Sequence, residues 1–326
     1  MNTLIRKIVL VASCAVTAGL SGASVAQSGA QAWPSRPLRI IVPFAPGGPV
    51  DVVARLVGQQ LSETLGQPVV VDNRAGAGGN IGTVAAAKSP PDGHTVLMSS
   101  SAFAVNVSFP DPGYTERDFA AVTVVAAQPN VIYVHPSVPA NTLAEFLAYA
   151  RTAKLAFSTP GSGTTPHLTG ENLFNIAGKL GMPAVHFRGA GPAAAAVVAG
   201  EPVVGSAAMT APLPFVKAGR VRALAVSSVK RIALLPDVPT LGELGFQGMA
   251  DYTWVGVFLP VATPAPIVQK LYEAVQRAAQ NPDIAARLTA LAFEPIAEPP
   301  ARTSDYVRAE IAKWGKVVRE TGARPD

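Results

Sequence analysis

The run Leu38-Arg-Ile-Ile-Val42 ends in Pro43-Phe-Ala-Pro-Gly-Gly48, and helical spacing starts at once. The apolar, β-branched run reads as a buried strand. Val53, Val57, Leu61 and Leu65 then recur every four residues, which places them on one helical face. A strand that feeds a helix through a glycine turn aims the first helical N–H groups, and the positive end of the helix dipole, beyond the strand. A second turn of this kind, Ser158-Thr-Pro-Gly-Ser-Gly-Thr-Thr-Pro-His167, follows more than a hundred residues later. Two such turns on two α/β units point to an anion held between two lobes.

Strand-like runs alternate with helical patterns along most of the chain. Pro68–Asp72, Thr95–Ser99, Ala121–Ala127, Val131–His135, Leu155–Ser158, Val185–Arg188 and Arg222–Ser227 read as strands. Ala144–Arg151, Thr164–Gly178 and Pro192–Gly200 read as helices between them. Thr263-Pro264 reads as an N-cap with proline at N1, and a last helix runs from near Thr303 to Gly322. The expected class is α/β, with two mixed sheets flanked by helices and a cleft between them. Two β-rich stretches, Ala121–His135 (interrupted at Gln128-Pro129) and Asp251–Leu259, are the candidate crossings between lobes. Lobe one is then 27–127 plus 252–326, and lobe two 128–251. Two crossings of this kind permit closure around a ligand.

The N-terminus carries an export address. Arg6 and Lys7 precede an uncharged apolar segment, and Ser24-Val-Ala26 supplies small residues for cleavage. The apolar run is too short to span a membrane. Cleavage near Ala26 and release to the periplasm are expected, with lipidation at Cys14 as the rival. Cys14 is the one cysteine, so the mature chain has no disulfide or thiolate site. Removing Arg6 and Lys7 takes the formal charge from +5 to +3. The remaining basic residues are scattered without an aromatic-rich patch, which argues against nucleic acid as a partner.

An ordered series of motifs carries a resemblance. Trp33-Pro34-Ser-Arg-Pro37, Pro43 to Gly48 with Asp51, Leu65-Gly-Gln-Pro-Val-Val-Val-Asp-Asn-Arg74 and Gly76-Ala-Gly-Gly79 come first. Pro91-Asp-Gly-His-Thr95, Asp118-Phe119, Ser158 to Leu168 and Arg188-Gly189 follow. Gly219 to Val226, Leu235-Pro-Asp-Val-Pro-Thr240, Trp254-x-Gly256 and Lys313-Trp314 complete it. The chain resembles the Bug family of receptors of tripartite tricarboxylate transporters over essentially its whole mature length. The resemblance implies a two-lobed periplasmic binding protein fold, type II-like, that takes small carboxylates through loop backbone and ordered water. The expected receptor is a monomer without cofactor that delivers its ligand to membrane transporter subunits; a ligand-sensing adaptor for the sensor domain of a chemoreceptor or kinase is the alternative. The chain departs from the family pattern at Pro49 and Val50, where a small residue and threonine are usual. It also departs at Ser206-Ala207 in place of Phe-Asp, at His186 and at His94. Ala207 in that place argues against an amino-acid ligand. Together with Val50 and Met209 it favours a dicarboxylate or an aromatic acid.

The ligand-binding candidates follow. Phe44, Ala45, Gly47 and Gly48 either meet a carboxylate or form a tight turn; Asp51 reads as the residue that holds it. Ser158, Thr159, Gly161, Ser162, Gly163 and Thr164 offer more hydroxyls than helix capping requires. His167 reads either as a ligand contact or as packed against its loop. Ser99, Ser100 and Ser101, with Asn106, end a strand at the cleft. Arg188 beside Gly189 either neutralises a carboxylate or is a solvated charge. Arg74 reads as a brace paired with Asp72 or Asp51. The chain shows no Gly-x-Ser-x-Gly elbow and no His-Glu-x-x-His, and its four histidines lack metal-ligand spacing. No catalytic or metal residue is therefore assigned. A hydrolase pair of Ser158 or Ser162 with His167 is the remote alternative.

Overall fold

A computed structural model describes residues 33–322. The cleavage site and Cys14 lie outside them. The ten strands are β1 (Leu38–Val42), β2 (Val69–Asn73), β3 (Thr95–Ser100), β4 (Phe119–Val134), β5 (Phe157–Thr159), β6 (Ala184–His186), β7 (Val204–Ala208), β8 (Arg222–Val226), β9 (Tyr252–Pro260) and β10 (Glu294–Pro295). They join in the order β2-β1-β3-β9-β4-β7-β5-β6, with β10 and β8 paired to β4 off that path. The outer strands β1, β2 and β3 are parallel, as are β5, β6 and β7. All pairings of β4 and β9 are antiparallel.

β4 organises the curled mixed sheet. Its residues 119–129 pair with β9, and residues 130–134 pair with β7 and β8. The sequence predicts an interruption at Gln128-Pro129, yet the strand runs through. Proline is tolerated because it sits where the ladder changes partners, so its missing N–H falls at a break in pairing. Two register shifts, between Ala121 and Thr123 and between Val124 and Ala126, bend the strand further.

The helix Pro49–Leu65 begins at Gly48 with Pro49 at N1 and ends on Gly66 in the left-handed conformation (φ +68°). Val53, Val57 and Leu61 are buried, as the spacing predicts, and Leu65 is half-buried. The helical run after Thr164 is α over Thr165–Gly170 and π over Glu171–Ala177. Near the C-terminus the N-cap is Pro264 rather than Thr263, whose hydroxyl donates to the Pro260 carbonyl (2.7 Å). The last helix, Pro300–Thr321, buries Val307, Trp314 and Val318.

Apolar residues from helices and sheet make a core on each side of the crossing. On one side Phe103 stacks on Phe258 at 4.4 Å, with Phe119 edge-on. Trp254 and Trp314 both donate to the Glu310 carboxylate (3.0 and 2.9 Å), which satisfies two buried indoles. On the other side Phe174 meets Phe146 and Phe157 edge-on. β7 escapes sequence detection because Gly205, Ser206, Ala207 and Ala208 have little strand propensity. Their smallness is required: a Cβ on Gly205 would lie 2.6 Å from the Tyr133 ring.

Candidate functional site

The bend after β1 is held from within its own helix. Asp51, buried in the first turn, accepts from the Gly47 N–H (3.1 Å), Asn73 Nδ2 (3.0 Å) and Arg55 Nε (3.1 Å). Burial alone would raise its carboxyl; the bonds from Arg55, Gly47 and Asn73 outweigh that and hold it below the ordinary value. Asn73 also donates to the Phe44 carbonyl (3.0 Å), and Gly47 takes φ +84°. Arg74 pairs with Asp72 at 2.8 Å.

In the second bend, most side chains are already engaged. Ser158 donates to the Ala193 carbonyl (2.9 Å), and Thr159 Oγ1 accepts from Gly161 N–H and meets His186 Nδ1 (2.9 Å). Thr164 caps its helix by accepting from His167 N–H and donates to the Gly161 carbonyl. His167 Nδ1 accepts from Gly163 N–H (3.3 Å), and its Nε2 lies 3.7 Å from Glu171. The surplus of hydroxyls is therefore largely bend-holding. Gly161 and Gly163 take φ +136° and +71°.

Each bend meets a neighbouring loop, the first Arg188–Gly191 and the second Gly78. Ala45 N–H donates to the Arg188 carbonyl (2.8 Å), and a Cβ on Gly191 would lie 2.8 Å from the Pro46 carbonyl. Asn106 Nδ2 donates to Gly78 (3.0 Å), and a Cβ on Gly78 or Gly163 would collide with Ser162 or Asn106 respectively. Ser101 and Thr165 share a hydroxyl contact of 2.8 Å. Around these contacts lies a narrow inner cavity, with room for about 20 Å³ of water-sized contents, lined by Phe44, Gly48, Pro49, Val50, Ser100, Pro160, Thr164, Pro166, Ala190, Ala208 and Thr253. The starts of the helices Pro49–Leu65 and Ala190–Ala199 both border it, beside the cap residue Thr164. No lining residue is acidic. Positive dipole ends and an acid-free wall suit an anion.

Phe44, Gly48, Ser100 and Thr164 thus reach this cavity. Ala45, Gly47, Ser101, Asn106, Ser162, Gly163 and Gly189 stand in the surrounding bends without lining it. Ser99 is buried in β3, Ser158 is tied to Ala193, and Thr159 and His167 support their own bend. Arg188 is exposed and borders a neighbouring chamber. Ala207 faces an apolar cluster with Val131 and Tyr133, while the next residue, Ala208, lines the cavity. The reasoning from Ala207 therefore belongs to a position one residue away, because alternate strand residues face opposite sides.

Sequence reasoning missed a polar knot at the crossing. Asp251, just before β9, accepts from Asn130 Nδ2 (2.9 Å) and from Thr169, and its backbone carbonyl accepts from Ser227 (2.7 Å). Asn130 Oδ1 in turn accepts from Thr253, which reaches Thr165 at 2.9 Å. Burial pushes the Asp251 carboxyl up to about 6, against bonds and charge from Ser227, Thr169, Lys313 and Asn130. A lone Asn within the apolar run of β4 was the available signal. Among the described residues no group of His, Cys, Asp and Glu could hold a metal, and no helix is long and apolar enough to cross a membrane.

Comparison with known proteins places these features. Residues 53–323 match the model of the tripartite tricarboxylate transporter family receptor. Protein BugT of Bordetella pertussis is 35% identical over 325 residues, 98% of either chain. The periplasmic binding protein BugD superposes with a TM-score of 0.86 at 30% identity, covering 90% of this chain and 99% of BugD. A protein of R. palustris solved with adipate gives 0.85 at 33%, covering 90% and 100%. MatC from Rhodopseudomonas palustris, with bound malate, gives 0.82 at 34%, covering 87% and 99%. The fold is the two-lobed one of periplasmic binding proteins, and the chain belongs to the receptor family of the tripartite tricarboxylate transporters.

Proposed function

We propose that this chain is an extracytoplasmic receptor that captures a small organic carboxylate between its lobes and delivers it to a membrane transporter. The observation that carries the reading is the convergence of two helix starts, at Gly48–Val50 and Gly189–Ala190, on one cavity without an acidic wall. A carboxylate there meets dipoles aimed at it without bringing in a counter-charge. The relatives solved with adipate and malate support an acid as ligand. The apolar linings Val50 and Ala208 favour a dicarboxylate or an aromatic acid over a polyol. Residues 128–130 and 251–253 serve as the hinge between lobes 27–127 plus 252–326 and 128–251. Export to the periplasm rests on the N-terminal pattern Arg6 to Ala26.

Closure requires the ligand to bind the closed form better than the open one; equal affinity would shift nothing. A melting screen of the mature chain against carboxylic acids, amines and sugars tests the reading. An acid at 100 times its dissociation constant adds about 2.7 kcal/mol. A panel in which only amines or sugars raise the midpoint would overturn it.

A further inference from the structure

The polar knot at the crossing has fewer protons than contacts. Thr169 Oγ1 carries one hydrogen and faces two acceptors, the Thr165 carbonyl (2.8 Å) and the Asp251 carboxyl. If Asp251 is ionised and takes that hydrogen, the Thr165 carbonyl goes without it. Ser227 spends its own hydroxyl proton on the Asp251 backbone carbonyl (2.7 Å). A buried carboxylate would then keep one committed donor, Asn130 Nδ2 (2.9 Å).

A proton on Asp251 balances the set. Its carboxyl O–H donates to Thr169, and Thr169 donates to the Thr165 carbonyl. The other arm returns to the same residue. Thr253 donates to Asn130 Oδ1 (2.7 Å), so Thr165 Oγ1 donates to Thr253 (2.9 Å) and Ser101 donates to Thr165 (2.8 Å). Asp251, Thr169, Thr165, Thr253 and Asn130 thereby make a closed ring with one proton for each bond, and Thr253 lines the inner cavity.

We infer that Asp251 carries a proton when the lobes are closed, and that closure and proton binding favour each other. This rests on the lobe closure proposed above and on no particular ligand. Ser101 follows β3 and Thr253 stands on β9, whereas Thr165 follows β5, so opening parts Thr165 from both and breaks the ring. Burial, which pushes the Asp251 carboxyl up to about 6, is relieved as water reaches the knot. Lys313 of the last helix is the other charge lining the crevice beside Asp251, and it is engaged by Glu310 (3.7 Å) and the Trp314 ring. Asn130, Thr169, Ser227 and Thr253, which face Asp251 from the other elements, do not titrate. Closure, and the affinity of any ligand that drives it, is therefore strongest below the open-state value and falls as pH rises through about 6.

Titration of the Asp251 carboxyl by carbon-13 NMR on aspartate-labelled protein, assigned with Asp251→Asn, tests both parts. Thr169→Val removes an acceptor if Asp251 is protonated and a donor if it is ionised. The midpoint should therefore fall, by roughly 0.5 pH. A rise, or no change, overturns the protonated assignment. For closure, Gly48→Cys with Ala190→Cys locks the first bend to the loop it meets: a Cβ on Gly48 would lie 3.7 Å from that of Ala190, within disulfide reach. Residues 27–326 hold no other cysteine. The oxidised pair should titrate near 6 and the reduced pair roughly 1 pH lower, with small-angle X-ray scattering showing the reduced form expanded. Circular dichroism checks that the variants fold. Expansion without a change of midpoint overturns the coupling and leaves closure standing. Equal radii overturn closure and the coupling with it.

Discussion

At Phe44–Gly48 the loop hangs on one carboxylate: Asp51 takes bonds from Gly47, Asn73 and Arg55. At Ser158–Thr165 the same task falls to Thr159, Thr164 and the imidazole of His167. Both bends put a helix start at the cavity, yet only in the first does a carboxylate accept from the turn itself. A negative group that helps hold a bend open to anions is tolerable because Arg55 and Asn73 face it and it does not line the cavity. The second bend needs no such compensation, and its support is spread over several weaker bonds. Concentrated support should fail at one residue, and distributed support by increments.

The sharpest test of the contact between the second bend and the Gly76–Gly79 loop is Gly78→Val. The new side chain would collide with the Ser162 carbonyl, and φ +58° is unfavourable for valine. Carboxylate binding should weaken roughly 100-fold, since apparent affinity scales with the fraction able to close. Calorimetry checks this, and unchanged affinity would show that closure does not bring this loop and the second bend together.

The two buried aspartates should titrate with opposite sign. Asp251 is held above its unfolded value, so the folded state binds more protons than the unfolded chain between about pH 4 and 6. Stability through Asp251 therefore falls as pH rises across that window, by on the order of 3 kcal/mol. Asp51 is held below its unfolded value; its contribution is present above that value and lost as pH falls through the folded one. Urea melts from pH 3 to 8 should show Asp251→Asn flattening the pH 4–6 slope and Asp51→Asn flattening the acid limb. Identical profiles for both variants would deny the difference in environment.

Asp51→Ala strips several donors of their acceptor at once and should cost about 2 kcal/mol in urea unfolding. Thr164→Ala removes one cap and should cost about 1 kcal/mol. Equal losses would erase the contrast between concentrated and distributed support.

Much of the fold was readable because its signals are local. The turn Pro43–Gly48, the four-residue spacing after it and the Asp72–Arg74 brace depend on neighbours in sequence. The site was readable only in part. Five hydroxyls in Ser158–Thr165 suggested ligand donors, but Ser158 is engaged by Ala193, and Thr165 by Ser101 and Thr253. Those partners lie far along the chain, so no local pattern could assign them. Ala208 rather than Ala207 reaches the cavity for a similar reason: which face of β7 looks inward is set by its pairing with β4.

The amino-acid order alone determined an α/β chain with two glycine bends that open helices, since backbone conformation and side-chain periodicity are properties of short segments. Tertiary structure decided that each bend meets a loop from far along the chain, that a buried Asp251 ties the crossing strands, and that Arg188 borders a chamber beside the cavity. Those outcomes depend on which distant groups become neighbours when β4 changes partners at Pro129, and that is fixed by packing across the whole molecule.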